Sequence, residues 1–189
     1  MKTLSKVMSK ICIGEIREFS SKRNIHISIM DYLKIIRSKT AALFSLSFYA
    51  GAHESQCSRK LCSKLANIGL NIGMAFQIID DILDCTGSAE IIGKPTAHDI
   101  KDGIYTLPVI YALHTNNTEL PDILSKDTLS SNDIVRILEI AKETKGLEKA
   151  KKLSEKYTDK AFKLIAELPE NGSKHVLIDV TEKLLVRQF

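Results

Sequence analysis

The sequence predicts an all-α protein, and three observations carry that expectation. Apolar residues recur at threes and fours, most clearly over Leu65, Ile68, Ile72, Ala75, Ile79, Ile82 and Leu83. No strand pattern and no internal repeat competes with this period. Helix start and stop signals also fall where the periodic runs begin and end. Nothing in the composition divides the chain, so residues 1–189 are read as a single domain able to bury one sizeable core.

In order, Lys2–Phe19 is amphipathic through Leu4, Val7, Met8, Ile11 and Ile16, and breaks at Ser20–Asn24. Ser28 with Asp31 resembles a capping box and opens a helix running to about Gly51. The central helix covers Ser58–Asp84. Thr86–Gly103 is the one long loop, holding Gly87, Gly93, Pro95 and Gly103; loops of that length inside compact domains are commonly functional. Pro108 suits the first turn of a helix over Thr106–Leu113. Thr115–Leu129 is turn-rich, and helices follow at Asn132–Lys145, Leu147–Leu168 and Lys174–Arg187. Over Lys145–Lys163 the apolar residues share one side, and the lysines read as a solvated face with oppositely charged partners nearby.

Hydrophobic content of 44% with 26% charged residues is ordinary for a soluble globular protein. A formal charge of +4, without a basic stripe interleaved with aromatics, does not argue for nucleic acid. Cys12, Cys57, Cys62 and Cys85 form no C-x-x-C pair and follow no secretory leader, so free thiols and a cytoplasmic location are expected. Thr40–Ala52 is too short and too polar to be a transmembrane segment. The histidines have no ligand-like spacing, which speaks against zinc.

The chemistry gathers around Gly73–Asp84, GMAFQIIDDILD. On a helix, Gly73, Gln77, Asp80 and Asp84 share a face, with Asp81 to one side. The same line continues upstream to Gly69, Ala66 and Cys62. With Gly87 as the helix stop, Asp80, Asp81 and Asp84 occupy the last two turns. Helix C-termini already carry partial negative charge, so acids placed there call for a cation. An all-oxygen cluster suits Mg2+, which leaves room for substrate phosphates when few carboxylates bind it. The alternative, a merely solvated helix end, is weakened by the apolar flanks and by Gln77. The acids do not alternate along a glycine-bearing loop, so a calcium loop fits poorly. Lys39, beside Thr40, lies within the apolar stripe of Tyr32, Ile35, Ile36, Leu43 and Leu46. Such a lysine either snorkels to water or serves as a phosphate ligand at a dry rim. In the long loop Lys94 follows Gly93, with Asp99 and Lys101 adding charge, although a loop lysine alone is a weak signal.

Lys39-Thr40, F-Q-I-I-D-D-I-L-D at Phe76–Asp84, Gly93-Lys94-Pro95 and D-I-K-D-G-I-Y-T-L-P at Asp99–Pro108 carry a resemblance. In order and spacing they are similar to the C-terminal part of trans-prenyl (polyprenyl) diphosphate synthases, from about Cys12 to Phe189. C-I-G-E-I at Cys12–Ile16 and the ending at Arg187 and Phe189 look most like the large catalytic component of heptaprenyl diphosphate synthase. The resemblance implies an isoprenoid-synthase helical barrel, incomplete, with its C-terminal helices only. It implies Mg2+-dependent condensation of an allylic diphosphate with isopentenyl diphosphate, in isoprenoid and quinone side-chain biosynthesis. Asp80 and Asp84 would then hold metal, with Asp81 acting through ordered water. Lys39 and Lys94 would grip diphosphate, and Thr40 and Gln77 would face the allylic cation. No protein base is evident, and in the family the leaving diphosphate takes the proton.

Two departures accompany the resemblance. No other D-D-x-x-D occurs in these 189 residues, and the family's N-terminal portion, with its isopentenyl-diphosphate-binding cations, has no counterpart. The chain alone is therefore expected to be inactive. Ile104 also stands where many members carry lysine. The partners implied are a second copy, a small component, or a missing N-terminal half. A non-catalytic regulatory or assembly subunit is the second reading. A terpene cyclase is opposed by Lys39-Thr40 and the F-Q-x-x-D-D arrangement. A barrel lacking its N-terminal helices should expose the apolar stripes of the Asp31 and Ser58 helices and so associate or aggregate. The small residues over Cys62–Gly73 suit either close helix packing or the floor of a tunnel for a prenyl tail.

Overall fold

The computed structural model describes residues 2–86 and 97–185, and these are helical with no strand among them. Lys2–Ser20 forms α1 and Ile29–Ile36 forms α2. A π-helical turn over Arg37–Ala41 leads directly into α3, Ala42–Glu54. The long α4 spans Arg59–Thr86, followed by α5 (His98–Lys101), α6 (Leu107–Leu113) and α7 (Glu119–Leu124). Ser131–Glu143, Gly146–Ala166 and Gly172–Leu185 are α8, α9 and α10.

Local chemistry explains most of these boundaries. Ser28 caps α2, its hydroxyl oxygen accepting the Asp31 N–H at 3.0 Å. Pro108 stands in the first turn of α6, where its missing N–H has no helical partner to lose. The run expected to begin at Asn132 starts slightly earlier, because Ser130 and Asp133 form a complete capping box. Replacing Ser130 with alanine is expected to cost about 1 kcal/mol, read as a lower urea midpoint with unchanged m-value. Two short helices depart from expectation. The six residues of α7 lie inside the turn-rich stretch, and Asn117 accepts the Leu120 N–H at 2.8 Å near its start. The four residues of α5 sit within the segment expected to be loop. Neither is long enough for periodicity to reveal it.

The core is organised around α4, which packs most extensively on α3 and α9 and also touches α6 and α10. Its C-terminal half contributes Ile78 and Ile82 to a cluster with Tyr32, Ile100, Ile110 and Ile137. Its middle contributes Ile68, Ile72 and Ile79 to a second cluster with Ala161, Ile165 and Leu185. The small-residue line does two jobs. At Gly73 the helices touch backbone to backbone, since a Cβ there would stand 2.7 Å from Ala41 Cα. At Ala66 the line instead borders a groove of about 530 Å³ between α1, α3 and α4, shared with Ile13, Leu46, Tyr49 and Leu70.

The π turn corrects the reading of one unbroken apolar stripe from Tyr32 to Leu46. A π turn takes in one residue more than an α turn, so side chains beyond it rotate out of register. Tyr32, Ile35 and Ile36 are buried, whereas Leu43 is 51% exposed. Exposed apolar surface also differs from expectation. Of the apolar stripe expected to be exposed on the Asp31 helix only Leu43 is, and α4 presents no large exposed apolar side chain. The principal stripe lies on α1, through Leu4, Met8, Ile16 and Phe19, the last 73% exposed. No helix among the described residues is long and apolar enough to cross a membrane.

Candidate functional site

The π turn, the C-terminal half of α4 and the end of α1 meet around a cavity of about 320 Å³. Glu18, Tyr32, Lys39, Gln77, Asp80, Asp81 and Asp99 all contribute to its wall. Two close approaches hold these elements together. Gly73 lets α4 lie flush against the π turn, and Gly14 does the same for α1, because a Cβ there would fall 2.8 Å from the Lys39 backbone N.

A chain of side-chain hydrogen bonds runs across the site. Thr40 donates its hydroxyl to Gln77 Oε1 at 2.6 Å. Gln77 Nε2 donates to Asp81 Oδ1 at 2.8 Å, one helical turn on. The Tyr32 phenol donates to Asp81 Oδ2 at 2.5 Å. Thr40 and Gln77, both expected at the site, are thus brought together. Asp81 is buried, and each of its carboxylate oxygens accepts one of these bonds, so it anchors Gln77.

Asp80 is exposed on the cavity wall. Asp84 is half-buried and ties α4 to α5. Its carboxylate oxygens lie 3.3 and 3.4 Å from the backbone nitrogens of His98 and Asp99, and its carbonyl accepts the Ala97 N–H at 3.0 Å. Lys39 lines the cavity but turns its ammonium to α1, bonding Glu18 at 2.6 Å with Glu15 at 3.6 Å. Partial burial pulls its pKa down, and the two glutamates outweigh that and raise it. Lys94 lies outside the described residues, as do Gly87, Arg187 and Phe189.

The electrostatics favour an incoming cation. Among the described residues the wall sets Glu18, Asp80, Asp81 and Asp99 against Lys39. Burial pushes the Asp81 carboxyl up to about 7, partly opposed by the Tyr32 and Gln77 hydrogen bonds. Asp99 rises to about 6 through burial and the neighbouring charges of Asp84 and Glu18. Burial and the Asp81 charge together hold the Tyr32 phenol well above its usual value.

Among the described residues no group of three or more His, Cys, Asp or Glu side chains is arranged to hold a metal ion. Magnesium, however, often takes only one or two carboxylates and completes its shell with phosphate oxygens and water. Asp80 and Asp84 suit that role, with an all-oxygen donor set beside further acidic side chains.

From the sequence Asp99 enters only as added charge in the long loop, and Glu18 and Tyr32 have no place here. A buried tyrosine needs a partner for its hydroxyl, so Tyr32 within the α2 stripe carried a usable signal. Nothing local connects Glu18 with a lysine 21 residues away.

The polyprenyl synthetase family model matches residues 1–141. A prenyl transferase of Cyanidium caldarium is 37% identical over 99% of this chain and 58% of its own length. Heptaprenyl diphosphate synthase component 2 of Bacillus subtilis is 34% identical over 98% of this chain and 53% of its own. The chain therefore spans little more than half the length of these relatives. Among solved structures, heptaprenyl diphosphate synthase from Staphylococcus aureus superposes with a TM-score of 0.91 at 33% identity, covering all of this chain and 59% of that one. A polyprenyl synthase from Caulobacter crescentus, complexed with calcium and isoprenyl diphosphate, gives 0.90 at 28% identity, covering 100% and 58%. On the family match, the identities and the shared helical fold, this chain belongs to the polyprenyl synthetase family of prenyl transferases.

Proposed function

We propose that this chain supplies the diphosphate-binding side of a polyprenyl diphosphate synthase, which joins an allylic diphosphate to isopentenyl diphosphate. The observation that carries the proposal is the Thr40–Gln77–Asp81–Tyr32 hydrogen-bond chain, whose last three members line one cavity with Lys39 and Asp80. Asp80 and Asp84 would hold Mg2+, whose chemistry here is to offset the charge of the departing diphosphate. Lys39 exchanges Glu18 for a diphosphate oxygen, a charge-assisted contact of the same kind. Lys94 is proposed as a second diphosphate cation from the family motif. Asp81 and Tyr32 fix the rotamer of Gln77, so that oxygens of Gln77 and Thr40 can stabilise positive charge on the allylic carbon. Apolar walls from Ile35, Ile36 and Ile104 keep water from that carbon.

Farnesyl diphosphate, isopentenyl diphosphate and Mg2+ supplied to the 189-residue polypeptide alone are expected to give little or no turnover, because these residues carry a single D-D-x-x-D. Robust chain elongation by the purified polypeptide would refute that expectation. A second copy or a complementary prenyl-synthase component, in the cytoplasm, is the proposed partner, and the exposed α1 stripe supports association. The second reading, a regulatory or assembly subunit, draws on the Lys39–Glu18 pair and the fully occupied Asp81. A catalytic partnership predicts that turnover appears when the complementary component is added and is lost with Lys39→Ala. A regulatory subunit would keep its effect in that variant.

A further inference from the structure

The lysine-rich run of α9 reads in the sequence as a solvated face with oppositely charged partners nearby. The face is exposed, and its ridge ammoniums close no ion pair with those acids among the described residues. Lys145, at the N-cap, and Lys149, Lys152, Lys156, Lys160 and Lys163 are all exposed. At the helical repeat they fall within an arc of about 80° and run for roughly 27 Å along the axis. Some cations elsewhere on the surface close ion pairs: Lys34 with Asp31, Lys64 with Glu167, Lys126 with Asp133, and Arg136 with Glu119. Among the described residues none of the six ridge lysines does so. The acids of this helix, Glu148, Glu155 and Asp159, form a separate row on one flank. Two ridge ammoniums rest over aromatic rings, Lys149 at 5.8 Å from Tyr111 and Lys160 at 5.2 Å from Tyr157. These contacts help hold the row in place without neutralising it.

We propose that this ridge docks the protein on an anionic phospholipid surface. A straight row of unpaired positive charge complements a plane of negative headgroups, and lysine meets such headgroups as a mobile point charge. The row contains no arginine fork and no exposed stacking platform, the devices by which single-stranded nucleic acid is gripped. The choice of lipid over other polyanions also rests on the proposed function, whose product is an anionic lipid with a long apolar tail. Docking at a bilayer would give that tail a short path out of water.

The experiment is co-sedimentation of the full chain with vesicles of phosphatidylcholine alone or mixed with phosphatidylserine, at low and high salt. Binding is expected only to the mixed vesicles, and salt should reverse it. At about fivefold per lysine, the triple variant Lys152→Gln, Lys156→Gln, Lys160→Gln should bind on the order of 100-fold more weakly. Its circular dichroism melt should be unchanged, since all three side chains are exposed. Undiminished binding by the variant, equal binding to neutral vesicles, or no vesicle binding at all would overturn the proposal. So would retention on RNA in preference to the mixed vesicles. Vesicle binding is read without turnover, so its failure is distinguishable from failure of the prenyl-transfer reading.

Discussion

Gly73→Leu is expected to leave the protein unfolded or aggregated, and Gly73→Ala to lower stability by about 1–3 kcal/mol. The atoms that meet an added Cβ are Ala41 Cα at 2.7 Å and Phe44 Cβ at 3.1 Å. The first belongs to backbone and cannot rotate away, so relief requires α4 to move off the π turn. That displacement falls on the 2.6 Å hydrogen bond between Thr40 and Gln77, one turn further along the same helix. Gly73→Ala should therefore weaken binding of a diphosphate analogue as well as stability. A truncation remote from the site, such as Ile137→Val in the first core cluster, should lower stability alone. Thermal melts and analogue titrations on the two variants separate these effects. A Gly73→Ala protein as stable as its parent would show that the helices do not meet as closely as described.

The second large effect is on pH dependence. Asp81 and Asp99 have folded-state pKa values of about 7 and 6, raised from 3.8. A raised carboxyl binds its proton more tightly in the folded chain than in the unfolded one. The stability it contributes is complete below the unfolded pKa and is lost as pH rises through the folded value. Without metal, the protein should lose stability as pH rises from about 4 to about 7, by an amount on the order of a few kcal/mol for Asp81. Carboxylates with lowered pKa, Asp133 at about 2 among them, have the opposite sign, but they change charge below this window. Asp81→Asn keeps an oxygen to accept from Tyr32 and cannot ionise, so it should flatten the fall. Urea midpoints in chelator across that range provide the measurement. Parallel curves for parent and variant would remove Asp81 from the account.

The sequence made the helices legible wherever a stripe was long, as in α1, α4 and α9, or a cap explicit, as in α2. It was less informative where backbone geometry changes without a marker residue. The π turn at Arg37–Ala41 contains no glycine or proline, yet from it Lys39 lines the cavity, Thr40 reaches Gln77 and Leu43 faces outward. The candidate site was legible as a set of residue types but not as a set of bonds. Gln77 and Asp80 share a helical face, but the hydrogen bond forms from Gln77 to Asp81. Helical spacing permits either, and Asp81 is the one that also accepts the Tyr32 hydroxyl arriving from α2. Lys39 was expected opposite the aspartates, and instead bonds Glu18, which becomes its neighbour only because Gly14 lets α1 approach.

Calorimetric titration of an allylic bisphosphonate, with and without Mg2+, tests the central claim most directly, because it reads ligand capture without requiring turnover. The account predicts Mg2+-dependent binding that chelator abolishes and that the double variant Asp80→Asn, Asp84→Asn loses. Lys39→Ala should weaken it at least about tenfold, the worth of one charge-assisted hydrogen bond. Absence of Mg2+-dependent binding, or full affinity in these variants, would contradict it.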